Sequence, residues 1–278
     1  ALLPAGSDPR VAALLPAGGI DFTDPDLLKG GMPVAQLAHL RATAPVWWNA
    51  QPDGATVFDD GGYWVISRHQ DVKAISRDSH LWSTNAKGVV MRLPEGVTAD
   101  QLEITKALLI NHDAPEHTRL RKLISRLFTP RSVAALEEKL AVAARDIVAA
   151  AAQKETGDFV EDIAMQLPLL AIADLIGVPE ADREKLFHWT NCIMNTDDPD
   201  FDSDPTAANA ELMGYAYAMA EERRQCPADD IVTRLIQADI DGEALSDIEF
   251  AFFVILLAVA GNETTRNAMT HGMNAFFA

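Results

Sequence analysis

Apolar residues recur along this chain at two different spacings, and the change between them divides it. From about residue 115 onward, Ala- and Leu-rich stretches at about 116–127, 131–153, 158–176, 180–194, 206–224 and 228–239 repeat every three to four positions, which predicts helices. Thr129-Pro130, Gly177-Val178-Pro179 and Asp197-Asp198-Pro199 punctuate them. Earlier, Val34, Leu37, Ala38 and Leu40 predict a short helix within 33–44. Val46-Trp47-Trp48 and Tyr63-Trp64-Val65-Ile66 read as strands, and Asp59-Asp60-Gly61-Gly62 supplies turn chemistry for a hairpin across 44–67. A short helix at 71–77 follows, then a loop carrying Gly88, Pro94 and Gly96. Residues 1–33, broken by Pro and Gly, read as an arm. The expectation is a mainly α fold with a small β-sheet, one domain over 1–278 whose helical body begins at 115.

The last predicted helix has the strongest start signal. Ser246-Asp247-Ile248-Glu249 is a capping box, in which the Ser hydroxyl and the Glu carboxylate each satisfy a free amide of the first turn. No breaker follows to the end of the chain, so the helix runs for about 32 residues, or close to 48 Å. Phe250, Phe252, Phe253, Val254, Ile255, Leu256, Leu257 and Val259 cover every side of it, which predicts burial through the protein centre. A polar run, Ala260-Gly261-Asn262-Glu263-Thr264-Thr265-Arg266-Asn267, interrupts it. Burying such groups costs several kcal/mol unless they are paired. Gly261 inside a helix costs roughly 1 kcal/mol against Ala and leaves backbone bare for a flat ligand. Glu263 beside Thr264 places a proton source next to a hydroxyl. The alternative is local: Thr264 bonds back to the carbonyl of Ala260, and Glu263 pairs with Arg266.

Composition narrows the partners. The chain has 278 residues, 48% of them hydrophobic, and a formal net charge of -18 with a pI near 4.6. Phosphate backbones repel so acidic a surface, which argues against nucleic acid. Cys192 and Cys226 lie in no CxxC or Cys/His cluster, which suits a reducing cytoplasm and no structural metal. The longest apolar run, Phe250 to Ala260, is short of the ~20 residues of a membrane span, so none is expected.

Ala260-Gly261-Asn262-Glu263-Thr264-Thr265 resembles the oxygen-activation motif [AG]-G-x-[DE]-T-[TS] of the cytochrome P450 family. A second stretch, Asp113-Ala114-Pro115-Glu116-His117-Thr118-Arg119-Leu120-Arg121, resembles that family's H-x-x-x-R segment. The resemblance implies a P450-type fold, a haem b cofactor and monooxygenase activity. It assigns Glu263 and Thr264 to proton delivery, Ala260 and Gly261 to the groove over the haem, and His117 and Arg121 to its propionates. The last pair stands four apart, on one helix face. Trp47-Trp48-Asn49, Leu186-Phe187-His188-Trp189 and the run from Pro227 to Glu243 resemble the actinobacterial steroid side-chain hydroxylases of that family. These oxidise the terminal methyl of cholesterol or cholest-4-en-3-one, for which Val90, Leu93, Met194 and Val259 are the expected contacts. Arg119, Lys122 and Arg126 point to the opposite helix face and are the expected docking stripe for a ferredoxin-type electron donor. A complete P450 continues into an E-x-x-R helix and a cysteine loop that ligates iron. Neither motif is in this sequence, so the chain reads as an incomplete, N-terminal and central portion expected to bind haem weakly by itself. Two readings from other classes stand beside the enzyme: a non-catalytic helical sterol- or lipid-binding protein without haem, and an acidic helical interaction module.

Overall fold

The structure, a computed structural model, describes residues 22, 25–28, 31–50, 61–89, 103–125, 128–194, 204–228, 230–240 and 242–277. The chain separates into two compact units, Ala1–Lys106 and Ala107–Ala278.

In the first unit a 3-10 turn, Pro25–Leu28, precedes helix α1 (Val34–Thr43), strands β1 (Val46–Ala50) and β2 (Gly62–Ile66), and helix α2 (His69–Arg77). β1 and β2 pair antiparallel with Trp48 opposite Trp64. Strand alternation decides the faces: Trp47 and Asn49 are buried while Val46 and Ala50 are exposed. Trp47 and Leu40 form a small core against Phe22, Leu27, Ala44 and Val65. Trp48 and Trp64 meet edge to face at 5.0 Å, which reinforces the pair on the other side. Gly62 is obligatory there, because its φ is 146° and a Cβ would sit 2.3 Å from the Asn49 carbonyl oxygen. The predicted helix and both strands are present. Most of the predicted arm, the turn residues Asp59 and Asp60, and Pro94 and Gly96 of the loop lie outside the described residues.

The second unit holds α3 (Glu116–Ser125), α4 (Pro130–Ala151), a π-helical turn (Val160–Ala164), α5 (Gln166–Ile176), α6 (Arg183–Met194), α7 (Pro205–Gln225), α8 (Ile231–Ile236) and α9 (Asp247–Phe277). Its core runs from Ile124 of α3 through Ile172 and Ile176 of α5, Leu186 and Trp189 of α6 and Leu212, Ala216 and Ala220 of α7 to Phe250–Ile255 and Ala258 of α9. α9 packs against α5, α6, α7 and the π-helical turn. By length and composition α9 is one helix that could cross a membrane, a test that a buried core helix also passes; 44% of its most apolar 18-residue window is buried inside the protein. Its first half is enclosed and its second half is not, with Phe276 and Phe277 each more than four-fifths exposed. The predicted burial therefore applies to the first half alone.

Two other boundaries differ from the periodic reading. The stretch 158–176 is split, because Asp158 accepts the amides of Val160 (2.7 Å) and Glu161 (3.0 Å) and starts a π-helical turn before α5. The stretch 228–239 ends as helix at Ile236 and passes into a second small sheet, β3 (Asp239–Ile240) with β4 (Glu243–Ala244). Gly242, at φ 85°, makes that reversal possible.

α5 and α8 are locked together by a small polar device. Gly177 closes α5 in the left-handed region (φ 83°), with its own amide and that of Val178 on the Ala173 carbonyl. A Cβ there would stand 2.9 Å from the Asp230 side chain. Asp230 caps α8 by accepting the Thr233 amide at 2.8 Å. Arg223 of α7 reaches Asp230 through Nε at 2.5 Å and the Gly177 carbonyl at 3.4 Å. Both charged side chains are only 12% exposed. Burial pushes the Asp230 carboxyl up, but the Thr233 and Arg223 hydrogen bonds outweigh it, and the group ends below its ordinary 3.8. Arg223→Met is expected to destabilise the protein by about 3 kcal/mol, because it strands a buried carboxylate. A depressed carboxyl contributes stability above its unfolded value and loses it as pH falls through the folded one. Denaturant melts should therefore show the wild-type advantage over R223M shrinking below pH 4.

Candidate active site

α3 begins just after the cis Ala114-Pro115 bond and turns two faces in different directions. Leu120, Leu123 and Ile124 are buried, whereas Lys122 is exposed. His117 is half-buried and Arg121 exposed, one turn apart on one face as predicted. No side-chain hydrogen bond or ion pair joins either of them to another described residue. Arg119 departs from the predicted basic stripe. It donates to Glu116 of its own helix through Nε (2.9 Å) and Nη2 (2.5 Å), and Nη2 also reaches Glu249 of α9. It is an interhelical brace, because a guanidinium between two carboxylates is held inward rather than offered to a partner. Arg126 lies outside the described residues.

The capping box of α9 forms as predicted. Glu249 accepts from the Ser246 amide at 2.7 Å and hydroxyl at 2.8 Å, and the Glu249 amide reaches Ser246 Oγ at 3.4 Å. α3 meets α9 here, at Glu249, and three residues beyond the end of α3 Phe128 packs edge to face on Phe253 at 6.5 Å. Ala260 follows Glu249 by 11 residues, about 16 Å along the axis.

Around Ala260 the helix changes character. Ala260 and Thr264 are exposed one turn apart, and Thr264 Oγ1 donates to the Ala260 carbonyl at 2.8 Å. This back-bond is the local alternative the sequence allowed. Glu263 is half-buried, and no ion pair joins it to Arg266 among the described residues. Asn262 alone of the polar run is buried, at 1% exposure, and neither its Nδ2 nor its Oδ1 has a partner among the described residues. It continues the buried stripe of Ala251, Ile255 and Ala258.

Gly261 is placed differently from the prediction. A Cβ on Gly261 would meet Ile172 Cδ1 at 2.7 Å and Cγ1 at 3.2 Å. Its bare face is filled by α5, so the glycine serves close helix packing rather than an open groove. Val259 is partly buried and packed against the core cluster. Met194, the last residue of α6, is half-buried. Val90 and Leu93 lie outside the described residues. Sequence reasoning missed Arg119 as a brace and Ile172 as the neighbour of Gly261. Neither had a local signal, since the partners are 130 and about 90 residues away.

What remains is a donor pair, His117 and Arg121, whose N–H groups no described residue takes up, and a helix face stepping from a methyl at Ala260 to a hydroxyl at Thr264. A haem requires both things: cations for its carboxylates and a low helix surface for its apolar plane. These residues fit it.

No family model matches the chain. A steroid C26-monooxygenase of Rhodococcus jostii is 55% identical over 258 residues, covering 93% of this chain and 55% of that protein. A steroid C26-monooxygenase of Mycobacterium tuberculosis is 54% identical over 260 residues, covering 93% and 60%. Among solved structures, a Mycobacterium marinum cytochrome P450 in complex with pseudoionone superposes with a TM-score of 0.77 at 34% identity, over 91% of this chain and 63% of that one.

The chain belongs to the cytochrome P450 family. It spans 55–60% of the length of the curated relatives it matches. Its architecture, mainly helical with small antiparallel sheets, is P450-type, as the sequence predicted.

The packing at Gly261 is directly testable. Gly261→Ala should cost about 1–3 kcal/mol from the clash with Ile172, less up to about 1 kcal/mol of helix propensity gained. Ile172→Val removes the Cδ1 in conflict, so the double variant should recover most of the loss. If G261A melts like wild type, the contact is not tight.

Proposed function

We propose that this protein is a haem-dependent monooxygenase that hydroxylates a sterol-like substrate, using dioxygen and two electrons from a redox partner. The site of attack in this reading is the terminal methyl of a cholesterol or cholestenone side chain. One observation carries it: where α9 leaves the core, Ala260 and Thr264 stand exposed one turn apart and pair a small methyl with a hydroxyl. The names of the relatives support the sterol.

Haem, when bound, supplies the oxygen chemistry at its iron. His117 and Arg121 hold its carboxylates, the guanidinium through paired N–H groups. Ala260 keeps the helix surface low where the plane lies. Thr264 carries the proton nearest the reacting face. Its hydroxyl donates a hydrogen bond to the Ala260 carbonyl at rest and keeps lone pairs to accept one, so a rotation re-aims the same O–H away from the helix. Glu263, one residue before it, passes protons inward from the half-exposed side. Met194 offers apolar contact to the substrate; Val259 and Gly261 act through packing. The redox partner is a ferredoxin-type donor. Of the predicted stripe, the exposed Lys122 is the described residue left to meet it. The compartment is the cytoplasm, in keeping with bacterial relatives and two free cysteines.

Two measurements test this on the full-length haem-loaded protein, with the iron-ligating cysteine loop that this sequence does not contain. A carbon monoxide difference spectrum, with cholest-4-en-3-one titrated in, should show a thiolate-type band and a substrate-dependent spectral shift. Thr264→Ala should leave haem content unchanged but cut product formed per electron consumed by about tenfold or more, with peroxide in its place. Normal coupling in T264A would remove Thr264 from proton delivery, and no haem would remove the enzyme reading.

A further inference from the structure

We propose that Arg119 is a positioning residue for His117 and Arg121: by tying α3 to the capping box of α9, it sets where the haem-carboxylate edge lies. The inference rests on the haem reading above.

The geometry separates Arg119 from direct contact with any group those two residues hold. At 100° per residue, Arg119 stands about 200° from both His117 and, in the other direction, Arg121, so it faces away from them. Its side chain is 21% exposed and Glu249 is 20% exposed, so the pair sits between the helices rather than on the surface. Glu249 uses both oxygens for different ends: Oε2 takes the Ser246 amide and hydroxyl, and Oε1 takes Arg119. The start of α9 and the middle of α3 thus share one carboxylate. Glu116, the first residue of α3, receives two N–H groups of the same guanidinium, which holds its carboxyl below the ordinary range.

α3 has only ten residues, and its other anchors are Leu120, Leu123 and Ile124. Apolar contacts are non-directional and leave a short helix free to turn or slide by fractions of an ångström. A planar guanidinium between two carboxylates is directional and fixes both. His117 and Arg121 are two residues either side of it, within little more than one turn, so any rotation of α3 moves both donors together. Groups that orient a ligating residue without touching its target characteristically change affinity by about 10–100-fold when removed.

The test is haem release from the haem-loaded protein to excess apomyoglobin, with the reduction potential measured alongside. R119M should release haem about tenfold faster than wild type, and Arg119→Lys, which keeps the charge but not the fork, should recover only part of this. Glu249→Gln, which alters only the α9 end, should give an increase of the same kind and serves if R119M folds poorly. In an H117A/R121A background R119M should add less than about twofold, because the residues it works through are gone. Wild-type release and potential in both R119M and E249Q, with only the melting temperature lowered, would overturn the proposal and leave a plain structural brace. H117A and R121A with wild-type release would instead sink the haem reading of α3, and this inference with it, without any change at Arg119.

Discussion

The enclosure of the first half of α9 is the constraint on which the rest of the second unit depends. Phe250, Phe252, Phe253, Val254 and Ile255 leave no polar side to turn outward, so neighbours are needed all round. Burying those five side chains contributes on the order of 10 kcal/mol. That gain gathers α5, α6, α7 and the π-helical turn about one axis. Ile172 then lies so close to α9 that a residue without a side chain is required at 261. Helix density and site geometry are in this respect one fact: the backbone of α9 is held at its middle by α5, just where its other face opens.

The candidate site sits at the step in that enclosure. From Phe250 to Ala258 the helix lies against the core; at Ala260 and Thr264 one face is outside it, while Asn262 remains buried on the opposite face. The polar run is therefore not a buried cluster awaiting mutual pairing. Most of it avoids the desolvation penalty by exposure, Thr264 offsets its own cost through the Ala260 carbonyl, and Asn262 bears it. A hydroxyl held by its own helix backbone at the edge of a core is both fixed in position and free to exchange its proton. Proton delivery to an apolar pocket needs that combination.

Charge is distributed in keeping with an excess of acid, 41 Asp and Glu against 23 Lys and Arg. Arginines at helix contacts are taken up by carboxylates: Arg119 by Glu116 and Glu249, Arg223 by Asp230, Arg183 by Asp174, Arg224 by Asp247. A cation in such company is more often a strut than a landing surface. No described carboxylate claims His117 or Arg121, as is also true of Arg77, Arg145 and Arg266; the pair is set apart by standing one turn apart on α3, the helix tied to α9 through Glu249. In an acidic protein, an arginine one turn from a histidine, neither met by a described carboxylate, suits carboxylates from elsewhere.

How far the sequence could be read follows from the range of the forces involved. Helices α3, α4, α6, α7 and α9, the paired strands at 46–50 and 62–66 and the capping box at Ser246 were legible, because periodicity, caps and turn glycines act within a few residues. The motif residues were legible too, as was the shared face of His117 and Arg121, which spacing alone implies. The break at 158–176 and the early end of α8 were not, since each depends on one side chain or one glycine choosing between local options of similar free energy. Which polar residue of 260–267 is buried, what fills the bare side of Gly261 and where the guanidinium of Arg119 points belonged to tertiary structure alone. Those outcomes are set by contacts with residues about 90 or 130 positions distant, and no local pattern encodes which distant side chain will arrive.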